Sequence, residues 1–143
     1  MPDLDQALAF LTGPLGGTLL VRETEHAVLR LGPVTTVELR AAAPDRAGRA
    51  LPLNSDVGGH HLAFYVEDVD KAADFLCDTP GARVLGTPQT VDEGGPIDGD
   101  RWVYFQGPWG FQFEALTLPE HLPYERHTTA RRFGPAASWS SLT

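Results

Sequence analysis

The chain has one cysteine, Cys77, one lysine, Lys71, and no apolar run approaching the roughly 20 residues that cross a bilayer. A single cysteine excludes an intrachain disulfide, so stability has to come from a packed core. Cys77 falls near the end of a helical pattern, without a helix N-terminus or an evident cation beside it. It is expected as a small buried hydrophobe and not as a reactive thiol. Positive charge is also short: eleven Lys and Arg stand against nineteen Asp and Glu, for a formal net charge of -8. Phosphate backbones and anionic lipids do not attract an acidic surface, so nucleic acid and acidic membranes are excluded as general partners, a local basic patch aside. No basic-then-apolar leader opens the chain, which makes the cytoplasm the expected location. What is present is 42% apolar residues in 143, enough to build one domain or two small fused modules.

The stretch from Gly58 to Leu76 organises the rest. Leu62, Phe64 and Val66 alternate with His61, Ala63 and Tyr65, the period-2 pattern of a strand with one apolar and one mixed face. Asp68 then stands at a helix N-cap position, and Val69, Ala72, Ala73 and Leu76 recur at helical spacing. A second copy of the unit opens the chain. Asp3, Asp5, Ala7, Phe10 and Leu11 fall on Asp68, Asp70, Ala72, Phe75 and Leu76 at an offset of 65, and Gly16 falls on Gly81. Each helix leads to a glycine-marked turn and a strand, Thr18 to Glu23 and Ala82 to Thr87. A hairpin turning on Gly-Pro follows in each half: His26 to Leu31 with Thr35 to Ala42, and Arg101 to Gln106 with Gly110 to Leu116. In the last strands, Gln112 and Glu114 oppose Phe111, Phe113 and Ala115, while Thr36, Glu38 and Arg40 oppose Val37, Leu39 and Ala41. Both strands therefore carry a carboxylate on the polar face.

Between the halves, residues 44–56 have little periodicity and suit a linker. Pro88 to Asp100 reads as a glycine- and acid-rich loop long enough to serve as a lid or binding loop, with an idle connector as the alternative. Residues 118–143 are too aromatic for a disordered tail and too broken by proline for a long helix, so they are expected to pack on the body or on a partner subunit. The resulting division is 1–43, a linker at 44–56, 57–117, and a C-terminal extension at 118–143.

The duplicated module resembles the vicinal oxygen chelate superfamily, which includes glyoxalase I, epimerases, extradiol dioxygenases and bleomycin-resistance proteins. Gly59 to Asp70 and Tyr104 to Glu114 carry the resemblance, which covers residues 2 to 116. It implies an α+β fold of two tandem βαβββ modules that form a cupped mixed sheet with helices outside. A divalent metal, Zn, Ni, Co, Mn or Fe(II), is implied inside the cup. Carried onto this chain, His61 matches the first-strand ligand of the second module, Glu114 its last-strand ligand, and Glu38 the last-strand ligand of the first module. Glu38 or Glu114 would serve as the catalytic base, and a homodimer is the expected assembly. The departure lies at the front: Met1 aligns with Val66, so the counterparts of His60 and His61 would precede residue 1 and the first module lacks its first strand. Either that strand lies upstream of a start assigned at an internal valine codon, or a short protein closes its sheet differently, with a partner chain as one means.

Tyr65, Trp102, Tyr104 and Gln112 are candidate pocket walls, with ordinary core or surface placement as the alternative. His60, of opposite parity to His61, is expected to support structure. His26, His121 and His127 are expected to lie outside the chemistry, and Ser138, Ser140 and Ser141 have no partner base. The leading expectation is a metal-dependent enzyme of the glyoxalase type acting on a small oxygenated metabolite as lyase, isomerase, epimerase or dioxygenase. An extradiol dioxygenase would need a second strand histidine that this chain does not offer. The alternative is a metal-free protein that binds or sequesters a small molecule such as an antibiotic.

Overall fold

The structure, a computed structural model, describes residues 3–33, 35–43, 45, 52, 56–57, 59–120, 122–126 and 128. Helix α1, Leu4–Thr12, begins where Asp3 accepts a hydrogen bond from the Gln6 backbone N–H at 2.9 Å, and it buries Leu4, Ala7, Leu8, Phe10 and Leu11. Strands β1, Thr18–Arg22, β2, His26–Leu31, and β3, Thr35–Arg40, form an antiparallel sheet in the order β1-β2-β3. The second half supplies β4, Leu62–Tyr65, α2, Val69–Cys77, β5, Arg83–Thr90, β6, Arg101–Gln106, and β7, Gln112–Thr117. Its sheet runs β4-β7-β6-β5, with β4 parallel to β7 and the other pairs antiparallel. The series α1-β1-β2-β3 thus repeats as α2-β5-β6-β7, and β4 has no counterpart among the described residues.

Three details differ from the sequence expectation. Strand β5 continues through Pro88 to Thr90, because it is an edge strand whose register against β6 slips between Leu85 and Gln89, where a missing N–H removes no ladder bond that the strand needs. The following loop is correspondingly shorter and closes on itself, with Val91 N–H donating to Asp100 O at 2.8 Å and Gly99 N–H to Val91 O at 2.7 Å. Cys77 is exposed, since it sits on the last turn of α2 beside the buried stripe of Val69, Ala73 and Leu76 and not within it. Of the linker at 44–56 only Asp45, Pro52 and Asp56 are described. His121, His127 and the serines at 138, 140 and 141 lie outside the described residues. Within the extension, Pro123–Arg126 form a 3-10 turn next to the buried Leu122.

One apolar core joins both halves, and Phe113 on β7 is its hub. Its ring is 1% exposed and meets Phe10 of α1, Phe64 of β4, Phe105 of β6, and Trp109 and Phe111 of the β6–β7 turn, at centroid distances of 5.0 to 6.2 Å. Gly107 permits this convergence. A Cβ there would stand 3.1 Å from Phe113 and 3.3 Å from both Phe10 and Trp109. On the opposite side of α2, Arg101 of β6 grips Asp70 through Nε at 3.0 Å and Nη2 at 2.6 Å, and its Nη1 donates to Thr90 at 2.8 Å, which ties the helix start to the sheet.

Phe113→Ala is expected to cost about 3–5 kcal/mol of stability, because it leaves a cavity bounded by five aromatic rings, and urea unfolding reads this as a lowered midpoint. A second expectation concerns acid. Asp68 caps α2 by accepting the Lys71 backbone N–H at 3.1 Å, and that bond, with help from the Lys71 side chain, holds its pKa below the ordinary 3.8. Folding lowers this pKa, so the stabilisation is complete above the unfolded value and is lost as pH falls through the folded one. Asp68→Asn keeps a capping oxygen that does not titrate, and its urea midpoint should fall less than that of the parent protein between pH about 7 and pH about 3.

Candidate functional site

Alternation along β6 and β7 separates the core from a polar face. Val103 and Phe105 on β6, with Phe113 and Ala115 on β7, point into the core, so Trp102, Tyr104 and Gln106 share the other face with Gln112 and Glu114. Register aligns them in rows: Tyr104 lies opposite Glu114, which lies beside Ala63 of β4, and Gln106 lies opposite Gln112. His61 immediately precedes β4 with the parity of Ala63, and its Nε2 is 2.8 Å from Glu114 Oε2. The two side chains are 28% and 13% exposed, so the pair is shielded without being closed off. An ionised carboxylate only accepts, so in that state the bond has Nε2–H of His61 donating to Glu114. The Tyr104 ring meets the His61 ring edge-on at 5.2 Å, and Trp102 lies against Tyr104 at 4.6 Å, forming an aromatic wall beside the dyad. Tyr65 shares this face, but it is 61% exposed and lies opposite Leu116, which separates it from Trp102 by one strand.

Two neighbours were not among the sequence candidates. Arg83 of β5 lies opposite Gln106, and its Nε donates to Gln106 Oε1 at 3.2 Å while Nη2 donates to the same oxygen. The signal for Gln106 was present: a tight Gly-Pro hairpin places it across from Gln112. Arg83 depends on the register of the irregular β5–β6 pair, which no local pattern announces.

Glu38 stands apart from the dyad. On β3 its Oε1 receives Arg40 Nε at 2.5 Å and lies 3.2 Å from His26 Nε2, while His26 Nδ1 is 3.5 Å from Glu23. Glu38 also borders a cleft of about 340 Å³ with Thr36, His60, Trp109 and Phe111, which neither His61 nor Glu114 borders. His60 packs its ring on Phe111 at 5.5 Å. The donors of His61 and Glu114 have the chemistry of metal ligands, but the set of three is not assembled. Among the described residues no group of three or more His, Cys, Asp and Glu is placed to hold a metal ion. The described residues do not make a complete metal centre.

Residues 1–115 match the family model of the Glyoxalase/Bleomycin resistance protein/Dioxygenase superfamily. The chain belongs to this superfamily. A 2-epi-5-epi-valiolone epimerase from Actinomyces sp is 48% identical over 161 aligned residues, which take in 98% of this chain and 87% of the relative. Among solved structures, a glyoxalase/bleomycin resistance protein/dioxygenase from Nocardioides is 27% identical with a TM-score of 0.57, covering 86% of this chain and 82% of that one. A lactoylglutathione lyase from Agrobacterium tumefaciens, at 23% identity and a TM-score of 0.57 over 81% of this chain and 86% of its own, shares the fold. The α+β superfamily architecture therefore stands, with the four-stranded half carrying the His61–Glu114 pair.

Two protein donors leave most of a metal's coordination to water. Divalent Zn, Ni, Co or Mn added to the purified protein is accordingly expected to bind weakly and to leave on desalting. One equivalent retained through desalting, and lost in Glu38→Ala, would overturn the separation of Glu38 from the dyad.

Proposed function

We propose that the chain is an epimerase of this superfamily that inverts a carbon beside a carbonyl in a small oxygenated metabolite. The polar face around His61 and Glu114 is its active site, and the observation that carries the reading is that pair, 2.8 Å apart beside the wall of Tyr104 and Trp102. The 48%-identical relative, by its name, supports the reaction type and supplies a concrete test compound.

Inverting such a carbon means taking its proton from one face and returning a proton to the other, with the electron pair held meanwhile as an enolate on the carbonyl oxygen. Glu114, as the carboxylate, accepts the proton, and the C–H electrons pass into the enolate. His61 fixes the orientation of that carboxylate. The opposite face of the carbon, turned away from this pair, takes its new proton from solvent water, the enolate electron pair forming the C–H bond, and Glu114 returns the proton it took to solvent. Tyr104 and Trp102 offer ring faces against which the apolar side of the substrate lies, and they keep water off the reacting carbon on that side. The metal-dependent form of the reading requires donors beyond His61 and Glu114, and none of these steps uses one. A second reading, a metal-free protein that binds a small molecule on the same face, is favoured by the engagement of Glu38 with His26 and Arg40.

Incubation with 2-epi-5-epi-valiolone in deuterated water separates the two. The epimerase is expected to exchange the hydrogen beside the carbonyl, and Glu114→Gln and His61→Ala to slow that exchange by about 100-fold or more. Binding without exchange would select the binding protein instead.

A further inference from the structure

The polar face continues one step past the dyad. Gln106 and Gln112 lie opposite each other two residues along from Tyr104 and Glu114, and Arg83 lies opposite Gln106. Same-face residues two apart on a strand are separated by about 7 Å, so Arg83, Gln106 and Gln112 form a row parallel to the dyad at that distance. The row is organised internally. Both bonds from Arg83 fall on Gln106 Oε1, which turns the amide nitrogen of Gln106 away from Arg83 as a remaining donor. That nitrogen and the Gln112 carboxamide have no protein partner among the described residues, and Arg83 is paired there with a neutral amide and not with a carboxylate. In a chain of net charge -8, a guanidinium with no counter-ion among the described residues, beside the dyad's face, is a site for oxygen.

We infer that Arg83, Gln106 and Gln112 form the substrate-recognition row of the site, holding an oxygen-bearing substituent of the molecule whose carbon reacts at Glu114, one row of side chains away along the sheet. The inference rests on the epimerase reading and deepens it to a substrate class: a compact hydroxylated molecule that carries an oxygen-bearing arm on the side away from the reacting carbon. A hydroxyl and an oxyanion share the chemistry that the row offers, and the experiment separates them.

Arg83→Leu and Gln112→Leu are compared with the parent protein for turnover of 2-epi-5-epi-valiolone. The side-chain amide signals of Gln106 and Gln112 are followed by NMR as the same compound, myo-inositol or myo-inositol 1-phosphate is added. Circular dichroism and the melting temperature establish that the variants are folded. The row predicts that KM rises about tenfold or more in each variant, by a larger factor than kcat falls, with Arg83→Lys between parent and Leu, and that the amide signals move on binding. Tighter binding of the phosphate assigns the arm to an oxyanion, and equal binding assigns it to a hydroxyl. Turnover with KM unchanged in both Leu variants would overturn the row and leave the epimerase reading standing. Amide signals that move in the parent protein and not in Arg83→Leu, with no turnover by the parent, would keep the row and overturn the epimerase. Neither turnover nor moving signals would overturn both.

Discussion

The structure depends on a constraint set at two adjacent residues of β7, where Phe113 must enter the core and Glu114 must therefore leave it. Strand geometry sends successive side chains to opposite faces, so the packing that fixes Phe113 also fixes the aim of the carboxylate. The rings of Phe10, Phe64, Phe105, Trp109 and Phe111 come from the first helix, from both strands flanking β7 and from the β6–β7 turn. Slipping β7 by one residue would bury a carboxylate among those rings and expose the phenylalanine, two large costs in one movement. The rigidity of the polar face is thus inherited from the apolar one.

Much of this was legible in the sequence. The hydrophobic alternation of His61 to Val66 and of Phe111 to Leu116, the cap at Asp68, and the 65-residue repeat all correspond to elements in the fold, because each rests on a sequence period or a capping geometry. The outcome at Glu38 was only half legible. Parity placed it on the polar face of β3, and the same parity placed Arg40 there too, two residues on, where it takes the carboxylate for itself. The expectation that Glu38 ligates a metal came from the resemblance, which says nothing of this neighbour. Strand ends, the exposure of Cys77 and the position of Arg83 were beyond the pattern, since each depends on where an element ends or on the register of an irregular pair.

The two halves also divide the work unequally. The four-stranded half brings a histidine to its last-strand carboxylate through β4. The three-stranded half has no such strand among the described residues, and its last-strand carboxylate is held by an arginine and approached by a histidine from β2. The glutamates occupy corresponding places in the repeat and meet different partners. One pairs with a histidine across parallel strands, while the other serves as a local counter-ion.

His61 and Glu114 are separated by 53 positions in the chain and meet only because β4 runs parallel to β7. Parallel pairing cannot be made by a tight turn. Here the connection passes through α2, β5 and β6, so the closure entropy of that whole excursion is met before the pair forms. Local structure alone, whether a formed helix or the β6–β7 hairpin, assembles no part of the dyad. The pair is consequently coupled to a long-range closure of the fold: a chain with native-like secondary structure but an undocked β4 would have every residue of the candidate site and no dyad.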